Sequence, residues 1–117
     1  MTIAELAKDF TDFLKRGDDE AAAKKYNAGD IVSYEAMEGP MSVCRGEDAV
    51  RQKGDWWRAN REVHGASVEG PFVNGDQFAV RFSYDITPKE TGKRVTMDEF
   101  GLYTVKDGKI TEERFFY

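Results

Sequence analysis

Three side chains in this 117-residue sequence pair a titratable group with a setting that could tune it: Glu35, Asp98 and His64. Glu35 shares a strand face with Ile31, Ser33 and Met37, and Asp98 shares one with Phe100 and Leu102. If those faces line a cavity, each carboxyl sits among apolar groups. Burial disfavours the charged form of a carboxyl and raises its pKa. A carboxyl tuned in this way can act as general acid or base near neutrality, for about 10²–10⁴-fold in rate. The opposite register also fits the pattern: Val32 and Tyr34 then point inward, and Glu35 meets solvent or an arginine. Glu99 takes the place of Asp98 if that strand slips by one residue. His64 is the only histidine, and histidine alone has an unperturbed pKa near neutrality. It could be a base or donor inside a cavity, a histidine satisfied by a backbone carbonyl, or a residue of a subunit face.

Aromatic residues surround these candidates. Tyr34, Trp56, Trp57, Phe82, Tyr84, Phe100, Tyr103, Phe115 and Phe116 can fill a core or stack against a flat ligand. Neighbours on a helix point about 100° apart. Trp56 and Trp57 therefore cannot both face inward; one is expected in the core and the other at a cavity mouth or an interface. Arg81 and Arg114 are expected to form exposed ion pairs with Asp85, Glu112 and Glu113, which contribute little. Cys44 reads as structural, and a single cysteine excludes a disulfide framework. One histidine with scattered carboxylates is not the usual metal-ligand set. No phosphate-binding glycine loop, GxSxG or HExxH is present. The expected chemistry is therefore free of metal and cofactor.

Composition narrows the partners. Seventeen Lys and Arg stand against 22 Asp and Glu, for a net charge of −5. That balance argues against broad binding to nucleic acid or to an anionic membrane. The 40% hydrophobic content excludes a disordered tail. Glu5, Lys8 and Asp9 interrupt the apolar core that a secretory signal needs. No apolar run approaches the roughly 18 residues of a spanning helix. A cytoplasmic protein of one domain, 1–117, is the expectation.

The elements follow from periodicity. Ile3, Leu6, Ala7, Phe10, Phe13 and Leu14 fall on one helical face over 3–16, with Thr2 and Glu5 as a capping box and Gly17 at the exit. Asp18 or Asp19 caps a second short helix carrying Ala22, Ala23 and Tyr26. Residues 31–37 read as a strand, 38–46 as a loop, and 47–60 as a third helix whose stripe Lys53 and Asn60 interrupt. Strands are then predicted over 62–72, 78–86, 93–105 and 110–117, with a strong hairpin signal at Asn74-Gly75. Helices ahead of an antiparallel meander indicate an α+β fold, a curved sheet with helices on its concave side.

That order resembles the nuclear transport factor 2-like superfamily, an α+β cone also known as the cystatin-like fold. More narrowly it resembles the SnoaL-like branch, which includes polyketide cyclases. The resemblance spans the chain. It is carried by Tyr26-Asn27-Ala28-Gly29-Asp30-Ile31-Val32, by Arg45-Gly46-Glu47-Asp48-Ala49-Val50, by Phe78-Ala79-Val80-Arg81-Phe82, and by the stretch from Leu102 to Ile110. It implies a cone that takes a small, largely apolar organic ligand, and a homodimer through the outer sheet face. It implies either cofactor-free isomerase, cyclase or dehydratase chemistry, or a non-catalytic binding or dimerisation module. Ketosteroid isomerase shares this fold and uses a carboxylate base with a Tyr and a protonated Asp as oxyanion donors. Its pattern places the base at Glu35 and the Asp at Asp98, and puts Phe10, which lacks a hydroxyl, where the Tyr would be. The implied site is therefore Glu35, Asp98 and His64 as catalytic groups. Phe10, Tyr34, Trp56, Trp57, Phe82, Tyr84, Phe100 and Phe116 are the implied ligand contacts.

Overall fold

The computed structural model describes residues 1–117. Helix α1 (Ile3–Lys15) begins with the expected capping box: Thr2 Oγ1 accepts from the Glu5 N–H, and Glu5 accepts from the Thr2 N–H. Two orphan backbone donors are thereby satisfied. Its stripe of Leu6, Ala7, Phe10 and Leu14 is buried. The chain reverses at Gly17, whose φ of +78° favours glycine, into α2 (Asp19–Tyr26). Asp9 of α1 ties the pair together, accepting from Lys25 at 2.7 Å and from the Tyr26 hydroxyl at 2.5 Å.

Strand β1 (Asn27–Tyr34) follows without a loop. It starts four residues before the expected strand and stops just short of Glu35. The break expected at Asn27–Asp30 survives only as an irregularity in its pairing between Asn27 and Val32. The segment read as loop contains β2 (Val43–Arg45), antiparallel to β1. Helix α3 spans Glu47–Ala59. Then come β3 (Arg61–Asn74), β4 (Gln77–Pro88), β5 (Val95–Lys106) and β6 (Lys109–Phe116).

These make one six-stranded, mostly antiparallel curled sheet in the order β2-β1-β6-β5-β4-β3. The β1–β6 pair alone is parallel. The fold class is thus the expected α+β cone, with one parallel junction that the sequence reading lacked.

Register decides which residues meet the helices. On β4, Phe78, Val80, Phe82 and Ile86 are buried on the inner face. Opposite them on β5 stand Tyr103 (facing Phe78), Gly101 (facing Val80) and Glu99 (facing Phe82). The outer rows pair Arg81 with Phe100 and Ser83 with Asp98. At the closed end Phe10 meets the rings of Tyr26, Phe78 and Tyr103 edge-on, with centroids 4.9–6.4 Å apart. Gly101 leaves room for the Tyr103 ring, since a Cβ there would lie 2.9 Å from its hydroxyl oxygen.

Candidate functional site

A cavity of about 660 Å³ opens between α3, the 36–42 segment and the inner face of β3–β5. Its walls are largely apolar, with Met41, Trp57, Val68, Phe82, Tyr84 and Met97 among the lining residues. Glu35, Lys53, Arg61 and Glu99 bring charge to it. A second cavity, about 450 Å³, lies between α2 and α3 and is lined by Phe10, Tyr103 and Glu113 among others. Lys53 borders both.

Lys53 is the hub. Its side chain is only 11% exposed and its ammonium sits 3.6 Å from Glu35 Oε1. It donates to Ser33 Oγ and lies 5.1 Å from the centre of the Phe115 ring. Glu35 follows the end of β1 and is fixed there by its backbone N–H, which donates to the Ser42 carbonyl at 2.8 Å. Its Oε2 is buried and has no hydrogen-bond partner. Burial pushes the Glu35 carboxyl above its ordinary pKa, and the charge of Lys53 works against that rise.

Two further carboxyls complete the cluster. Glu99 is pushed up to about 7, chiefly by burial and then by the negative charge of Glu35, with Lys53 opposing. Glu113 is also pushed up to about 7 by burial; Lys53 holds it down, the Glu35 charge adds to the rise, and the Ser33 hydrogen bond lowers it. Glu113 faces Ser33 on one side and Tyr103 on the other in the strand register. Three carboxyls thus surround one ammonium. They are not gathered tightly enough to make a metal site.

Aromatic rings and Arg61 shape the mouth. The Arg61 guanidinium lies over Trp57 at 5.1 Å and Trp56 at 5.4 Å, and its Nε is buried without a partner. Trp57 packs on Tyr84 at 5.2 Å, and Tyr84 stacks on Phe82. Burial raises the Tyr84 phenol well above its usual range, so it stays a hydrogen-bond donor. Trp56 remains 44% exposed. Trp57 is half-buried against Tyr84, yet neither tryptophan enters the core, contrary to expectation: both line the cavity.

The structure brings Glu35, Trp56, Trp57, Phe82 and Tyr84 to the larger cavity, and Phe10 to the smaller one. It does not bring the others. Asp98 is on the outer face, accepting from Ser83 Oγ at 2.6 Å and 3.7 Å from Arg81. Its register is one residue off the cavity, and Glu99 occupies the inward place. His64 is exposed, at an irregularity between Val63 and Gly65, with Nε2 2.7 Å from Thr87 Oγ1. Tyr34 is outward, with the Arg114 guanidinium 4.0 Å from its ring centre. Phe100 and Phe116 face each other on the outer sheet surface, each about half exposed. Glu112 pairs loosely with Arg114 as expected, whereas Asp85 takes Arg94 and Glu113 turns inward.

Lys53, Arg61 and Glu113 escaped the sequence reading as site residues. Signals existed for two of them. Lys53 interrupts an inward helical stripe, and Glu113 shares strand parity with Phe115. Arg61 had none, being the first residue of its strand.

Comparison with known proteins agrees with this architecture. The SnoaL-like domain family matches residues 1–117. A solved SnoaL-like, polyketide cyclase-like protein from Mesorhizobium loti is 73% identical, with a TM-score of 0.98 and full coverage of both chains. A protein of ketosteroid isomerase-like fold from Catenulispora acidiphila, solved with trimethylamine, is 16% identical over 99% of this chain and 87% of its own, TM-score 0.74. TerC, co-crystallised with polyporic acid, is 16% identical over 98% and 90%, TM-score 0.72. No curated protein matches the chain.

Proposed function

The chain belongs to the SnoaL-like family, and on that premise we propose that its cone receives a small, largely apolar molecule and acts on it by cofactor-free acid–base chemistry. The single observation that supports this most is the cluster of Glu35, Glu99 and Glu113 around Lys53, with Glu35 and Glu99 lining the larger, mainly apolar cavity and Glu113 the smaller one beside it. Titratable pairs whose surroundings push their pKa values apart mark an acid and a base. Burial raises both carboxyls here, but Lys53 lies against Glu35 and opposes the rise there, while Glu99 is pushed up to about 7. Glu35 is then the base, and Glu99 the acid that donates to a developing oxyanion. Lys53 holds the base charged and placed. Isomerisation, cyclisation and dehydration can each be driven by such an acid–base pair.

Two distant relatives of the same fold were solved with small organic molecules, trimethylamine in one and polyporic acid in the other. Both support a cone that admits such molecules. The test begins with enolisable ketones and cyclic enones, screened by quenching of Trp56 and Trp57 fluorescence. Bound ketones are then followed by NMR in D₂O. Wild type should speed exchange at the carbon next to the carbonyl, and Glu35→Gln should lose that exchange while still binding. Binding without exchange would reduce the protein to a carrier, and no binding by any compound would remove the reading.

The outer face supports a homodimer. Phe100 and Phe116 form an exposed aromatic pair within a lattice of ions that includes Arg81, Asp98 and Glu69. Sedimentation should show a dimer that Phe100→Asp with Phe116→Asp converts to monomer. A wild-type monomer at tens of micromolar would end that part. No helix is long and apolar enough to cross a membrane.

A further inference from the structure

Two buried polar atoms at the larger cavity have no hydrogen-bond partner: Glu35 Oε2, an acceptor, and Arg61 Nε, a donor. The other cations of this cavity are matched, Lys53 with Glu35 and Arg58 with Asp55. Arg61 is in no ion pair. It is held by stacking, its guanidinium over the indoles of Trp57 and Trp56. Stacking occupies the flat face of a guanidinium and leaves the N–H donors along its edge unanswered. The acids of the cavity are engaged elsewhere. Glu35 takes Lys53, Asp19 lies under the charge of Arg58, and Glu38 is exposed on the 36–42 segment. The Arg61 charge nonetheless reaches the acid–base pair, opposing the rise of both Glu35 and Glu99.

From this arrangement we infer that the ligand of the larger cavity is a flat, mainly apolar monocarboxylate, with its carboxylate on the edge of Arg61 and its reacting end toward Glu35 and Glu99. The inference rests on the proposed function and names the substrate class for that same site. A carboxylate matches the arginine fork with two parallel N–H···O bonds. Such bonds answer donors that otherwise bear their desolvation cost alone. A single charge is the limit, because a dianion would set its second charge near Glu35 without a counterion. Flatness follows from the aromatic wall, where Trp57 packs on Tyr84 and the Tyr84 and Phe82 rings stack 7° from parallel. Trp56 is the loose side of the cradle, being 44% exposed. Its indole turns aside to uncover Nε as the carboxylate seats. Glu35 Oε2 is then left to take a proton from the far end of the ligand.

Three aryl ketones separate the possibilities: 3-benzoylpropionate, its methyl ester, and butyrophenone, which has no carboxyl group. Binding is read by titration calorimetry. The acid should bind at least about tenfold more tightly than the ester, the size of a charge-assisted hydrogen bond. Arg61→Gln should bring the acid down to the affinity of the ester. Arg61→Lys keeps the charge but not the fork and should retain part of the preference, so the test does not depend on one variant folding. Equal affinity of wild type for acid and ester, or a preference that survives Arg61→Gln, would overturn the carboxylate site and leave an apolar cone intact. Arg61-dependent binding of the acid, with no deuterium exchange at the carbon beside its ketone, would uphold the ligand class and refute the acid–base reading. Failure of all three compounds to bind would remove both together.

Discussion

Glu99 faces Phe82 directly across the β4–β5 pair, while its neighbour Asp98 faces Ser83. One step along the strand separates a carboxyl pressed against an aromatic floor from one bathed in solvent. This is why Glu99 is pushed up to about 7. Carbon-detected NMR should find both Glu99 and Glu113 titrating near 7 and moving together, because each feels the charge of Glu35. Glu99→Gln should simplify the titration of Glu113. Two independent titrations in the ordinary carboxylate range would contradict the geometry.

The same shift makes stability depend on pH with a definite sign. A carboxyl whose folded pKa is raised binds its proton more tightly in the folded state. Its contribution is fully present below the unfolded value of about 4.5 and is lost as pH rises through about 7. Wild type should therefore weaken between pH 5 and pH 8. Glu99→Gln cannot ionise, and at pH 8 it should be more stable than wild type by about 1–3 kcal/mol. Urea melts at pH 5 and pH 8 measure both numbers. A Glu99→Gln variant with the wild-type slope would show that other groups set the profile.

Lys53 offsets this carboxylate repulsion. Removing one partner of a largely buried ion pair commonly costs about 3–5 kcal/mol, and the partial exposure of Glu35 places Lys53→Met toward the lower end. The loss should be larger at pH 8 than at pH 5, where Glu99 and Glu113 are neutral. Adding Glu35→Gln should recover part of it. A pH-independent loss would mean that packing against Phe115, rather than charge, is what Lys53 provides.

Gly101 is held by space rather than by backbone conformation. A methyl group there meets three atoms of the Tyr103 ring and hydroxyl at 2.9–3.1 Å. Gly101→Ala should destabilise by about 1–3 kcal/mol through overpacking. Tyr103→Phe removes the nearest of those atoms, so the double variant should lose less than the sum of the two. Strict additivity in thermal melts would show that the ring does not set the limit.

His64 and Asp98 are far from this chemistry. His64→Ala and Asp98→Asn should each change stability by no more than about 0.5 kcal/mol. Neither should alter the titration of Glu99 and Glu113 or the binding of ketones. A lost exchange activity in either variant would move the site to the outer face.

What could be read from the sequence was local, and what could not was a matter of pairing. The capping box at Thr2 and Glu5 and the hairpin within Val73–Asp76 depend on residues a few positions apart; the box formed as read, and the hairpin formed with its turn at Gly75-Asp76, Asn74 ending β3 opposite Gln77. Along β4, Phe78, Val80 and Phe82 are large and apolar on one parity only, so its inner face was legible. Along β5 it was not. Asp98, Phe100 and Leu102 alternate with Met97, Glu99 and Gly101, and both rows mix charge with apolar bulk. Only the partner strand decides between them. Phe100 and Phe116 looked like cavity residues because their size suggests burial, yet the pairing that turns Glu99 inward turns both outward. Glu35 was legible as a candidate, but its partner Lys53 comes from a helix 18 positions away. No periodicity within β1 points to it.

Strand β6 follows every other element along the chain, yet it lies between β1 and β5 in the middle of the sheet. During synthesis the β2–β1 edge and the β3–β5 meander must wait, unjoined, for residues 109–116 to leave the ribosome. Such non-local pairing is entered late and slowly. Glu113 arrives with that strand, between Ser33 and Tyr103. The closing step of assembly is therefore also the step that delivers the third carboxyl, so a nascent chain cannot carry a complete site before its sheet is joined.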